Sequence, residues 1–284
     1  ASLFCVGDDW QSIYRFTGAD NSIIRSFTEI FKFPIKLSTR SNEGKITEVS
    51  ISSEDLENPK KKEYISQLYI NDATNQKGLD LSLLKDLPHE TFKIQNNFRT
   101  GDVINDVASI FIQKNPFQIA KEVKTTNKLD KKQSQKAINF CQVSQYDNAS
   151  IQKIIDFIPR GDQEKEVFIL GRKKYEFKEV KPALLMGNRN DLSITKTTIH
   201  QAKGSEADVV IVLGLDGGIK GFPMKTAEDP LLSAFLPSSD GYEDSEERRV
   251  MYVAMTRAKQ MIFFVHKLHN PSGFVDELIE ICKS

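Results

Sequence analysis

The chain has 284 residues, 39% of them hydrophobic, with 39 basic and 39 acidic side chains that give a formal net charge of zero. That length suits one large domain or two modest ones, and a neutral balance argues against a protein that merely coats nucleic acid, whose affinity comes from neutralising phosphates. No apolar run approaches the roughly 18 residues of a membrane span, no basic-then-apolar signal opens the sequence, and Cys5, Cys141 and Cys282 match neither a metal-ligand spacing nor a disulfide framework. The expectation is a cytoplasmic protein with no membrane attachment.

In chain order, residues 3–6 read as a strand and run into a loop. A helix follows from Asp20, with Asp20 or Asn21 as its N-cap and Ile23, Ile24, Phe27 and Phe31 on one face; Pro34 ends it. Residues 35–90 change character, being polar and lysine-rich. Ile46, Val49 and Ile51 hint at a strand there, and Tyr64, Ile65, Leu68 and Tyr69 recur at helical spacing. This interval reads as an insertion, a solvated appendage rather than part of a core.

From Phe92 onward strands and helices alternate. Residues 92–94 read as a short strand, and Val103, Val107, Ile110 and Phe111 as a helix face stopped by Pro116. Strands are predicted over 137–143, 167–170, 192–198 and 208–215, with a helix carrying Ile151, Ile154, Ile155 and Ile158 between the first two. Val209, Val210, Ile211 and Val212 are too apolar to have a wet face and suit a parallel strand covered on both sides. Such alternation predicts a parallel sheet with crossover helices. The lysine-rich stretch 121–136 reads as a solvated loop, with phosphate contact as its alternative. Residues 217–243 form a loop rich in Gly, Pro and acids. Residues 246–259 read as one amphipathic helix: Val250, Val253 and Ala254 recur at helical spacing, with acids at its start and bases at its end as the macrodipole prefers. A buried strand over 261–265 follows. A helix that delivers Arg257 beside a buried strand can aim a guanidinium at an anion; a surface ion pair is the plain alternative.

The run from Glu246-Glu247-Arg248-Arg249 through Tyr252-Val253-Ala254 to Thr256-Arg257-Ala258-Lys259 resembles motif VI of the UvrD/Rep branch of superfamily 1 helicases. Three other stretches are similar to further motifs in that family's order: residues 7–20 to motif III, 97–100 to motif IV and 198–206 to motif V. The resemblance implies an α/β fold, a RecA-like (P-loop NTPase-type) parallel sheet flanked by helices. It places a remnant of the first RecA-like domain in 1–34, a polar insertion in 35–90, and the second motor domain in 91–284. It also implies an ATP-dependent 3′–5′ DNA helicase or translocase. No Walker A or B sequence is present, since Gly44-Lys45 is followed by Ile46 and lacks the upstream glycine. The chain therefore reads as the C-terminal part of a larger helicase, inactive as an ATPase without the N-terminal motor domain. Between Thr100 and Thr198 there is no room for the large mobile subdomain of UvrD and Rep. Trp10, Tyr14-Arg15-Phe16 and Asn270-Pro271-Ser272 fit the branch that lacks it.

The resemblance also assigns roles. Arg99 and Arg257 stand as arginine fingers, a task that suits a permanently charged group with two parallel donors. Gln11 stands where an amide senses the γ-phosphate or orients the attacking water. Phe98 takes the place of a tyrosine that stacks on adenine, Glu206 accepts from the ribose hydroxyl, and Gly204 lets the backbone approach closely. For the DNA strand, Tyr14 and Phe16 match aromatic positions where stacking is worth about 1–3 kcal/mol per base whatever the sequence; Phe16 as a plain core residue is the alternative. Thr198, His200 and Lys203 match contacts to phosphate or nucleotide. ATP and Mg2+ are the implied cofactors, both needing the N-terminal domain, and no metal site of the chain's own is expected. Single-stranded DNA and duplex junctions are the implied partners. The runner-up is a helicase-like ATPase that remodels a protein machine such as RNA polymerase. A degenerate module fits less well, because both arginines and Gln11 are present.

Overall fold

The computed structural model describes residues 6–17, 19–25, 35–40, 46–51, 94–185, 189–225 and 241–283; for Phe16, Ile23 and the stretches 35–40 and 46–51 it describes the backbone alone. Two compact units result, one made of 1–25 with 94–284 and the other of 26–93. Within the second unit, β1 (Ile35–Arg40) and β2 (Ile46–Ile51) pair antiparallel, Ile35 opposite Ile51. That agrees with the strand signal at Ile46, Val49 and Ile51. The helical spacing at Tyr64–Tyr69 and the strand expected at residues 3–5 lie outside the described residues.

The first unit is built on a five-stranded, all-parallel sheet. Its strands are β5 (Ile138–Val143), β6 (Lys165–Gly171), β7 (Leu192–Thr198), β8 (Ala207–Val212) and β9 (Ala258–Lys267), in the order β5-β9-β8-β6-β7. Because side chains alternate across a strand, the sheet serves two cores. Val210, Val212, Phe168, Leu170, Ile262 and Phe264 face one side. Val209, Ile211, Val167, Ile169, Phe263 and Val265 face the other. The central strand β8 is β-branched nearly throughout and buried on both faces, as the run of valines and isoleucine predicts.

Helices cover both faces. α2 (Asp102–Gln113), α6 (Ser245–Met255) and α7 (Gly273–Lys283) pack on the first; α4 (Asn148–Phe157) and the short α5 (Pro182–Leu185) pack on the second. α1 (Asn21–Arg25) starts where predicted, with Asp20 Oδ1 accepting from Ser22 N at 2.8 Å. Phe27 and Phe31 lie outside the described residues. α3 (Lys131–Ser134) is a single turn closed by a capping box between Asp130 and Gln133. The turn lies inside the stretch expected to be loop.

Three expectations need correction. Of the strand expected at 92–94, residues 92 and 93 lie outside the described residues and Ile94 is exposed and in no strand; the described strand before motif IV is β3 (Asn96–Asn97), which runs parallel to β4 (Lys124–Thr125). Ile110 points to solvent from α2, whose buried face is Ile104, Val107, Ala108, Phe111 and Ile112. The motif VI helix ends at Met255, and it is buried all round rather than amphipathic. Ala258 must pair with Ala207 to start β9, so the helix breaks off at Thr256, whose hydroxyl donates back to Tyr252 O and Val253 O. Arg257 therefore sits in the turn, and Lys259 in the strand.

Of that helix's buried charges, Glu247 and Arg248 are met by opposite charges and Arg249 by a backbone carbonyl. Arg172 grips Glu247 through two donors, with Nη2–Oε1 at 2.7 Å. Arg248 reaches Glu277 on α7 at 2.6 Å and lies over the Phe111 ring. Arg249 Nε donates to Ser12 O at 2.8 Å. The second pairing links α7 to α6, and the third links the motif III loop to α6.

Candidate functional site

β8 and β9 begin side by side, with Ala207 N donating to Arg257 O at 3.0 Å. Residues just ahead of each strand are thereby brought together: Glu206 before β8, Arg257 before β9. Arg99 joins them from the turn between β3 and α2. Asn97 Oδ1 shapes that turn by accepting from the backbone N–H groups of Arg99 and Thr100, and Gly101 N is fixed to Lys259 O. Arg99 Nε donates to Glu206 Oε2 at 2.6 Å, and Lys259 Nζ lies 3.0 Å from Oε1. These two cations hold the Glu206 carboxyl below the usual carboxylate range. Both partners of the Arg99–Glu206 pair are substantially exposed, at 32% and 43%. Such pairs are worth about 0–1 kcal/mol, so this one exchanges easily for a better anion.

Arg257 is held differently. It is 1% exposed, and its guanidinium donates to Val253 O, Ser205 O and Thr256 Oγ1 at 3.0, 3.0 and 3.2 Å. All three acceptors are neutral, and among the described residues it makes no ion pair. Burial pushes its pKa down to about 10, with the nearby Arg99 charge adding to the effect, so it stays cationic at neutral pH. A buried charge without a counter-ion is expensive, and an arriving anion relieves that cost. Phe98, beside Arg99, keeps its ring 74% exposed. Gly204 adopts a φ of +94°, a conformation that favours glycine, and a Cβ there would meet nothing within 4 Å.

A second group lies at the other end of the sheet, where Thr198 closes β7 opposite Gly171. Tyr14 Oη donates to His200 O at 3.0 Å, and His200 Nε2 lies 3.1 Å from Ile13 O. Lys203 Nζ donates to Gln11 O at 2.9 Å and rides 5.0 Å above the Tyr14 ring. Thr198 Oγ1 is 3.1 Å from Gln201 Oε1. Burial lowers the His200 pKa to about 4, and Arg172, Lys173 and Lys203 push the same way. The imidazole is neutral at pH 7. Gln11 turns its side-chain amide onto the Asp8 carboxylate. Asp8 in turn acts electrostatically on both Lys203 and Arg257, which joins the two groups. The motif V turn, 199–206, spans the length of the strands between them, on the order of 20 Å at 3.3 Å per residue. The side chain of Phe16 lies outside the described residues.

Several contributors carried no signal of their own in the sequence. Lys121, from the supposedly solvated loop, pairs with Asp8 and with Asp9 Oδ1 and lies 4.5 Å from the Trp10 ring centre. Asp9 Oδ2 accepts from Ile119 N, and Trp10 Nε1 donates to Ile119 O. Trp10 and Ile13 are fully buried, Trp10 edge-on to Tyr252 of α6. The paired aspartates before Trp10 were the one clue that a cation had to meet them. Lys259 and Arg172 could have been suspected from their places beside a motif and at the end of an apolar run.

A parallel sheet with helices on both faces, and motif stretches gathered before its central strands, defines a RecA-like domain. Residues 184–268 match the UvrD-like helicase C-terminal domain, and residues 1–32 match the UvrD/REP helicase N-terminal domain. At both ends, therefore, the chain is similar to UvrD-like helicases. It is 31% identical to DNA helicase IV of Escherichia coli (strain K12) over 280 residues, 98% of this chain and 31% of that protein. It is 32% identical over 97 residues to the ATP-dependent DNA helicase PcrA of Staphylococcus aureus (strain Mu50), covering 31% of this chain and 12% of PcrA. The chain thus spans about a third or less of the length of these curated relatives. A solved C-terminal domain of a possible DNA helicase from Lactobacillus plantarum overlaps 64% of this chain and 94% of its own, at 15% identity and a TM-score of 0.37, and adds nothing to the sheet topology. No helix among the described residues is long and apolar enough to cross a membrane.

Proposed function

We propose that this chain is the second motor half of an ATP-dependent DNA helicase that moves 3′ to 5′ along single-stranded DNA. The observation that carries the reading is Arg257, a buried guanidinium offered only neutral oxygens, next to an exchangeable Arg99–Glu206 pair. Charge of that kind awaits an anion, and a γ-phosphate on its way to leaving supplies one. Arg99 leaves Glu206 for the phosphate, Arg257 meets a second oxygen, and Phe98 stacks on the adenine. Glu206, released from Arg99, accepts from the ribose. Gln11 links this event to Tyr14, Phe16, Thr198, His200 and Lys203, which grip the strand by stacking and by phosphate contact. The phosphate loop and the carboxylates for Mg2+ come from a first motor domain, which this domain meets across the nucleotide. Among the described residues no cluster of three His, Cys, Asp or Glu could hold a metal.

The test is phosphate release from ATP, Mg2+ and single-stranded DNA. The 284-residue chain alone should release none above background, and joining it to a family first motor domain should produce DNA-stimulated turnover. Turnover that follows the chain alone through purification refutes the division of labour. The reading as a remodeller of a protein machine has no observation of its own here, whereas the Tyr14–His200–Lys203 group favours a strand.

A further inference from the structure

A cavity of about 190 Å³ opens at the starts of β6, β8 and β9, on the α4 side of the sheet. Its rim carries Lys132 and Lys136 from around α3 and Lys165 from the first position of β6. The carboxamides of Gln133 and Gln260 line it too, over an apolar floor that includes Ile158 and Met261. Lys165 donates to Pro159 O at 2.8 Å and is thereby aimed along the wall. Lys132 and Lys136 are exposed and, among the described residues, make no ion pair. Asp130 caps α3 through Oδ1, accepting from Lys132 N and Gln133 N, and forms no ion pair with either lysine among the described residues. Asp208 on β8 accepts from Glu166 N at 2.9 Å and Gln260 Nε2 at 3.4 Å, and no acid lines the cavity.

Three ammonium groups over an apolar floor, with two amides that can both donate and accept, make a site for a phosphate carried on a flat organic body. The cavity falls below the roughly 300–1,000 Å³ of pockets that enclose a whole small-molecule ligand. It suits one unit of a longer chain. It is also separate from the arginine cluster: Val209 and Met261 belong to the core under α4, whereas Arg257 follows α6 on the opposite face. We propose that this cavity is a subsite for one nucleotide unit of a nucleic-acid strand. Lys132, Lys136 and Lys165 take the phosphodiester, and the floor takes the base or sugar. The inference rests on the reading of the chain as a strand-binding motor half, but it places a contact at the end of the sheet away from Tyr14 and His200. The lysine-rich stretch is then not merely solvated.

The experiment is a fluorescence-anisotropy titration of an end-labelled oligothymidylate against the 284-residue chain over a range of salt. The variants are Lys132→Gln/Lys136→Gln, Lys165→Gln, Lys203→Ala and, as a surface control, Lys131→Gln. Circular dichroism confirms that each is folded. Each lost phosphate contact lowers the salt slope by about 0.7, so the double variant should lose about 1.4 of slope and roughly 10- to 30-fold in affinity near 0.1 M salt. Lys165→Gln should lose about half of that slope change, and Lys131→Gln nothing. A double variant that binds within twofold of wild type, while Lys203→Ala is weakened, overturns the subsite and leaves the proposed function standing. Wild-type chain that fails to bind the oligonucleotide at low salt removes both. Inorganic phosphate and ATP are titrated in parallel: lysine-dependent binding of either, with strand binding indifferent to the lysines, assigns the cavity to a free phosphate ester and overturns the proposal.

Discussion

At the start of β8 and β9 a buried arginine keeps its charge among neutral oxygens; at the end of β6 and β7 a half-buried histidine gives its charge up. Both groups are desolvated, and both feel neighbouring cations. The outcomes diverge because of where each begins. A guanidinium starts so high that even a fall to about 10 leaves it protonated, whereas imidazole starts near 6.5 and falls to about 4. On the proposed function, the two ends of the motif V turn suit different partners: a fixed positive charge for a leaving phosphate, and a neutral aromatic surface with a lysine held against Gln11 and Tyr14 for a strand.

The largest effect expected from breaking this contrast is at Arg257. In protein joined to its first motor half, Arg257→Lys should lower single-turnover hydrolysis by roughly 10³–10⁵, because an ammonium cannot reproduce the planar two-donor grip. DNA binding should change little. Arg257→Ala carries an added penalty, since Ser205 O and Val253 O lose their donor, at about 1–3 kcal/mol of stability for such orphaned groups. A Lys variant that hydrolyses within tenfold of wild type would mean that Arg257 serves only the turn it sits in.

That penalty also marks the limit of what the residues disclosed in advance. The parallel sheet was legible because Val209 to Val212 admit no wet face, and because each predicted helix lies between two apolar runs. The convergence of Arg99, Glu206 and Arg257 followed from motif order. What could not be read was the register of chain breaks. Whether Arg257 rides on the helix or in the turn depends on Ala258 pairing with Ala207, a contact remote in sequence. Lys121 likewise looks like every other lysine of its loop until Asp8 and Asp9 arrive beside it.

A smaller effect is expected at the strand-facing end. Lys203→Ala should weaken binding of single-stranded oligonucleotide about fivefold near 0.1 M salt and reduce the salt slope by about 0.7, while nucleotide affinity holds. An unchanged slope would show that Lys203 only braces Gln11 and Tyr14, and the contrast between the two ends would lose its charged member.

The smallest effect tests the neutral histidine directly. One imidazole resonance, removed by His200→Gln, should titrate near pH 4 by NMR. Because the folded value lies below the unfolded one, the unfolded chain binds the extra proton. Stability contributed by neutral His200 is therefore complete above about pH 6.5 and is lost as pH falls toward 4. Thermal midpoints should decline across that window in wild type and decline less in His200→Gln. A His200 midpoint near 6.5 would place the ring in solvent and detach it from Tyr14.

Trp10 and Ile13, fully buried against residues of α6 and its neighbours, make the first unit a discontinuous one: its core is assembled from both sides of the interval 26–93. The polypeptide must therefore close a long loop before its tryptophan can dock. Closure entropy grows only with the logarithm of loop length, so trading that interval for a linker of about ten residues would favour the folded unit by roughly 1.5–2 kcal/mol. The interval is, in this sense, a tolerated insertion in the chain of the first unit. Grafts and chimaeras that carry residues 94–283 to a new host without residues 6–25 would leave a tryptophan-sized hole between α6 and the chain at Ile119.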